Sequence, residues 1–200
     1  MKRHCRWWFL AGLCALCLAQ PSLQASPVPP SPVSAGEGDF DSYLAGLREK
    51  ALNGDADAAK QLVVHYEVSG NVPETSRWMN QYVSLTEKAA DAGNVSAMLD
   101  LGKLFYTGSR LYPKNMEMAR FWFTRAADSG NADAQYQTAA MISKGMGGLR
   151  DEALATSYYE KALHSWQKEA EAGDPKAALW VGLLYERKLV PGSSPEKSVP

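Results

Sequence analysis

The sequence predicts an all-α protein, a solenoid of antiparallel helix pairs. Three observations predict it. A junction phrase, Ala-x-x-Gly-Asp/Asn-x-x-Ala, occurs four times, at Gly54, Gly93, Gly130 and Gly173, separated by 39, 37 and 43 residues. After each junction comes an apolar face at helical spacing. A Gly-containing turn and a second helical pattern then lead to the next junction. Self-similarity at such a period marks stacked repeats, each unable to bury its apolar face alone.

The chain ahead of the repeats has a different character. Lys2, Arg3 and Arg6 form a basic start, followed by an apolar run over residues 7–19. Thirteen residues fall short of the about 20 that a membrane-spanning helix needs. The pattern predicts a signal peptide over residues 1–25, cleaved after Ala25, with an uncleaved anchor as the alternative. The mature chain is then expected in the periplasm or secreted, with no stable membrane insertion. Cys5, Cys14 and Cys17 all lie in that leader, so the mature chain has no disulfide and no thiolate chemistry. Each of the later two follows a Leu, not the small residue that lipidation needs. Without the leader, 18 basic residues face 22 acidic ones. No basic stripe stands out, which argues against nucleic acid as a partner. Residues 26–38, with four prolines among Ser and Gly, predict a solvated linker. The solenoid is expected over residues 39–190, opening with a helix at 42–52 capped by Asp39 or Asp41.

Each junction has a physical logic. Gly takes the left-handed conformation that ends one helix. The Asp55, Asn94, Asn131 or Asp174 side chain then accepts from the free amides that open the next. Pro175 suits a first turn, where no intrahelical donor is needed. The following apolar face is Leu101, Gly102, Leu104 and Phe105 in the second unit. Its counterparts are Leu62, Val63, His65 and Tyr66, then Thr138, Ala139, Met141 and Ile142, then Val181, Gly182, Leu184 and Tyr185. The small member of each set admits a close helix neighbour. Turns follow at Gly70, Gly108 and Gly145. The second helices carry Trp78 and Met79, Trp122 and Phe123, and Tyr158 and Tyr159.

These residues resemble the Sel-1-like repeat, a relative of the tetratricopeptide repeat. The resemblance covers about residues 42–188, and residues 90–131 carry it almost intact. It implies a right-handed solenoid of about three and a half repeats, and an adaptor or regulatory role. Two departures stand out. The first and third units fit only with about seven residues inserted late in the second helix, near Ser84-Leu85 and near His164-Ser165-Trp166. Seven residues are close to two turns, so the helix should lengthen without turning its face. The fourth unit has only its first helix, and residues 191–200 are expected to form a disordered tail. Some cysteine-rich relatives are linked to β-lactam binding or hydrolysis. That supplies a rival function, from which a mature chain without cysteine departs.

No catalytic, metal-binding or cofactor-binding motif is present. His65 falls on a core-facing repeat position and His164 in an insertion, with no zinc-ligand spacing between them. Gly145-Met146-Gly147-Gly148 lacks the Lys-Ser/Thr of a phosphate loop and lands where the repeat needs a turn. What remains is surface. The first helix of each pair is expected to line the concave, recognising face. Offsets of 3, 7, 10 and 14 from each junction Gly form a stripe there. It predicts a protein or peptide contact at Asp100, Lys103, Gln137, Lys144, Lys176, Trp180, Leu183 and Arg187. Trp180 and Arg187 lead that set, since Trp and Arg are enriched in binding hot spots. Leu179, Trp180 and Leu183 crowd an unpaired last helix and predict a possible homodimer through it.

Overall fold

The computed structural model describes residues 37–191, which form eight α-helices and no strand. They are α1 Glu37–Leu52, α2 Ala56–Val68, α3 Val72–Asp91, α4 Val95–Thr107, α5 Met116–Asp128, α6 Ala132–Ser143, α7 Glu152–Glu171 and α8 Pro175–Glu186. The leader over residues 1–25, the linker up to residue 36 and the tail after Pro191 lie outside the described residues. Each helix packs chiefly on its neighbours in the chain, the one-dimensional stacking of a solenoid.

All four junctions are built as their residues dictate. Gly54, Gly93, Gly130 and Gly173 have φ of 99°, 93°, 91° and 97°, where an L side chain would be strained. The amide after each Gly closes back on the ending helix, as in Asp55 N to Lys50 O at 3.0 Å and Asn94 N to Ala89 O at 3.0 Å. Side-chain oxygens then cap the next helix. Asp55 accepts from Ala58 N at 3.0 Å, Asn94 from Ala97 N at 3.1 Å and Asn131 from Ala134 N at 2.8 Å. Asp174 accepts from Lys176 N at 2.8 Å, with Pro175 opening the helix behind it. A cap of this kind is worth about 1 kcal/mol.

The core runs continuously along the stack. Leu62, Leu101 and Thr138 are inaccessible to solvent at equivalent places, and Val181 is buried at the fourth. Trp78, Trp122, Phe123, Tyr158 and Tyr159 are buried from the second helices, so the aromatics there serve as core. Gly102 makes room for one of them, because a Cβ at that position would lie 2.7 Å from the Phe123 ring. The loop between α6 and α7 is equally tight. A Cβ on Gly147, at φ 72°, would meet the Met116 carbonyl oxygen at 2.1 Å, which explains a glycine there without any phosphate.

Both inserted stretches lengthen a helix. Helices α3 and α7 have 20 residues each and α5 has 13, a difference of seven. The inserted turns keep their inner face, since Thr86 and Trp166 are buried. One boundary needs correction. Helix α1 begins at Glu37, so Glu37 and Gly38 belong to it and not to the linker, and neither Asp39 nor Asp41 is its cap. Acidic residues are favourable throughout a first helical turn, so they mark its neighbourhood without fixing its first residue.

Candidate interaction groove

The helices α2, α4, α6 and α8 occupy equivalent places in the repeat, and side chains join them in a ladder. Lys60 on α2 pairs with Asp100 on α4 at 3.1 Å, and Lys176 on α8 pairs with Asp133 on α6 at 3.3 Å. Arg125 on α5 joins Asp91 on α3 at 2.8 Å and lies over the Trp122 ring. Exposed pairs contribute between about 0 and 1 kcal/mol each, so the apolar core holds the stack and the ladder fixes its register. Asp100 also accepts from the Tyr82 hydroxyl at 3.3 Å. Burial, followed by the Asp100 charge, pushes the Tyr82 hydroxyl above its usual value. Lys60 is raised too, its own burial opposing and the Asp100 hydrogen bond prevailing. Asp100 is therefore engaged within the fold. It braces two repeats and does not line the groove described next.

Further along the stack the same side opens into a groove of about 180 Å³. Tyr136 on α6, Trp166 on α7 and Trp180 on α8 line it together with Leu99 and Phe123. The rings form one cluster. Trp166 and Trp180 stack with centroids 5.1 Å apart and planes 13° off parallel, and Tyr136 lies 5.8 and 5.2 Å from them. Tyr159 backs Tyr136 at 5.6 Å, and its own burial raises its hydroxyl above the usual value. Lys103, Gln137, Asp133 and Lys176 supply the polar wall. Arg187 donates to the Tyr136 hydroxyl at 3.1 Å.

The groove thus gathers Lys103, Gln137, Lys176 and Trp180 from the sequence-derived set, with Arg187 beside them through Tyr136. Lys144, just past the end of α6, and Leu183 on α8 do not line it. Tyr136 and Trp166 were missed. Tyr136 sits six residues after Gly130, one place off the chosen stripe, and a one-residue step turns a helix face by about 100°. Trp166 belongs to the inserted turns, and only the fold brings it under Trp180. A second, more open hollow of about 480 Å³ lies between α1 and α2, lined by Phe40, Tyr43, Gln61, Val64 and His65 among others. His65 is half-buried there, with the Phe40 and Tyr66 rings 5.3 and 4.9 Å away. That is the surrounding of a packed histidine. His164 is exposed. Among the described residues no group of three or more His, Cys, Asp or Glu could hold a metal ion. No described helix is long and apolar enough to cross a membrane.

The Sel1 repeat family matches residues 95–131 and 132–164. Those two spans are α4 with α5, and α6 with most of α7, the helix pairs that the junctions delimit. The chain is a Sel1 repeat protein. Repeats of this kind are protein-interaction scaffolds. A stretch of 144 residues, 70% of this chain, is 33% identical to chitin synthase regulatory factor 3 of Schizosaccharomyces pombe. It spans only 14% of that protein's length. Among solved structures, a Sel1 repeat protein from Oxalobacter formigenes is 28% identical at a TM-score of 0.45, covering 70% of this chain and 96% of that one. A protective antigen of uropathogenic Escherichia coli strains, displaying an SLR fold, is 21% identical at a TM-score of 0.45. That likeness covers 80% of this chain and 39% of the antigen.

Proposed function

We propose that this Sel1 repeat protein is an exported adaptor that holds a segment of a protein partner in the groove between α4, α6 and α8. The observation that carries this reading is the stacked Trp166–Trp180 pair with Tyr136, walled by Lys103, Gln137 and Lys176. Aromatic anchors ringed by polar groups are what an interface hot spot requires. The groove is also smaller than the roughly 300–1,000 Å³ of a site for a drug-sized ligand. It accommodates a side chain of a larger partner better than a cofactor. Export rests on the basic start and apolar run of residues 1–25, which suit a cleaved leader. A regulatory role accords with the regulatory factor that shares the repeat region.

Cross-linking in cells followed by recovery of this protein tests the reading. Capture of a specific protein should fall with Trp180→Ala and with Arg187→Glu, each checked by melting for an intact fold. Unchanged capture in both variants would sink the groove assignment. Turnover of a β-lactam or a muropeptide by the purified protein would instead favour an enzyme.

One observation favours a second reading, self-association through α8. Leu179 is 63% exposed, and the space beside Gly182 is open, whereas its counterpart Gly102 is covered by Phe123. Light scattering should then show a dimer that Leu179→Glu dissociates. A monomer at high concentration removes this reading and leaves the adaptor intact.

A further inference from the structure

The groove carries a charge that the chain as a whole does not. The full sequence has a net charge of −1, yet Lys103 and Lys176 line the aromatic floor and Arg187 is bound to its Tyr136. Among the described residues one carboxylate, Asp133, lines it with them, and Lys176 engages that carboxylate at 3.3 Å. Elsewhere on the ladder each cation has an acid to meet, as Lys60 has Asp100 and Arg125 has Asp91. The step from α4 to α6 is the exception. Asp100 stands seven residues after Gly93, and the residue seven after Gly130 is Gln137, an amide. Lys103 is exposed and has no ion-pair partner among the described residues. Arg187 meets a neutral hydroxyl in place of a carboxylate.

We infer that the groove selects an acidic, apolar segment of its protein partner: a Leu, Phe or Tyr side chain on the aromatic floor, with flanking Asp or Glu carboxylates facing Lys103 and Arg187. This rests on the adaptor reading and specifies its ligand. The apolar component follows from the half-buried Tyr136 and Trp180 rings, backed by the buried Trp166, since such rings offer contact area at low entropic cost. The acidic component follows from the two cations. Like-charged flanks would meet them unpaired, and complementary flanks gain encounter rate as well as affinity. The volume of about 180 Å³ limits the apolar part to one large side chain.

The test uses the full chain and three fluorescein-labelled heptapeptides, read by fluorescence anisotropy. All share a central Leu-Phe pair, and their flanking positions are all Glu, all Gln or all Lys. The Glu peptide should bind roughly tenfold tighter than the Gln peptide, two exposed charge pairs supplying the difference. The Lys peptide should bind weakest. Lys103→Glu, at an exposed position whose change leaves the core untouched, should remove most of the preference for Glu. Salt raised from about 0.05 to about 0.5 M should narrow it as well. If the Gln peptide binds as tightly as the Glu peptide and Trp180→Ala weakens both, the acidic assignment is overturned while the groove stands. Failure of all three peptides, or indifference of binding to Trp180→Ala, overturns both. Tighter binding of a single-stranded oligothymidylate than of the Glu peptide also overturns the assignment, in favour of a nucleic acid.

Discussion

Thr138 places a hydroxyl where the other first helices carry Leu62, Leu101 and Val181. It is fully buried, and its oxygen has no hydrogen-bond partner among the described residues. Leaving such a group unpaired is costly, whereas an apolar group of the same shape avoids the penalty. Thr138→Val should therefore stabilise the fold by about 1 kcal/mol, raising Tm by about 2–4 °C in thermal melts. A lower Tm would mean that the hydroxyl has a partner after all. At this scale the sequence was informative wherever the repeat register held. The caps at Asp55, Asn94, Asn131 and Asp174 and the buried Ala58, Ala97, Ala134 and Ala177 all follow from local spacing. It was silent on pairing between repeats. Asp100 looks free in the sequence because its partners, Lys60 and Tyr82, lie 40 and 18 residues earlier.

Among the elements, α4 and α8 form a natural comparison. Both carry Gly nine residues after their junction, at Gly102 and Gly182, but among the described helices only α4 has a second helix laid across that Gly. Gly102→Ala should cost on the order of 1–3 kcal/mol, because the new methyl displaces the Phe123 ring. Gly182→Ala meets nothing within 4 Å and should gain about 0.5–1 kcal/mol from helix propensity. Urea unfolding of the two variants checks the pair, and a matching sign would contradict this difference in packing. The seven-residue lengthening of α3 and α7 was legible because whole turns preserve the face that the repeat needs. The start of α1 was not. No junction precedes it, and its acidic first turn tolerates several starting residues. What the insertion does was also hidden: Trp166 meets Trp180 only once α7 and α8 are packed.

The described helices stack one on the next, and the first and last of them differ. Helix α1 presents Ser42, Ala45, Glu49 and Lys50 to solvent, whereas α8 exposes Ala178, Leu179 and Gly182. Between them the ladder of ion pairs closes repeat on repeat, and it lapses where Gln137 replaces an acid. The groove lies at that lapse, lined by helices of two repeats and by α8. Its place in the stack explains why the sequence showed its parts and not its whole. The repeat register puts Lys103, Gln137, Lys176 and Trp180 on one side of their helices, but α7 contributes through an insertion that no register predicts.

The most direct measurement is site-resolved photo-cross-linking in cells. A photoreactive amino acid at Gln137, inside the groove, is compared with one at Glu160, exposed on α7 and outside the groove lining. The account predicts a discrete partner adduct from position 137 that Trp180→Ala abolishes, and none from position 160. Equal adducts from both positions, or an adduct at 137 that survives Trp180→Ala, would contradict it.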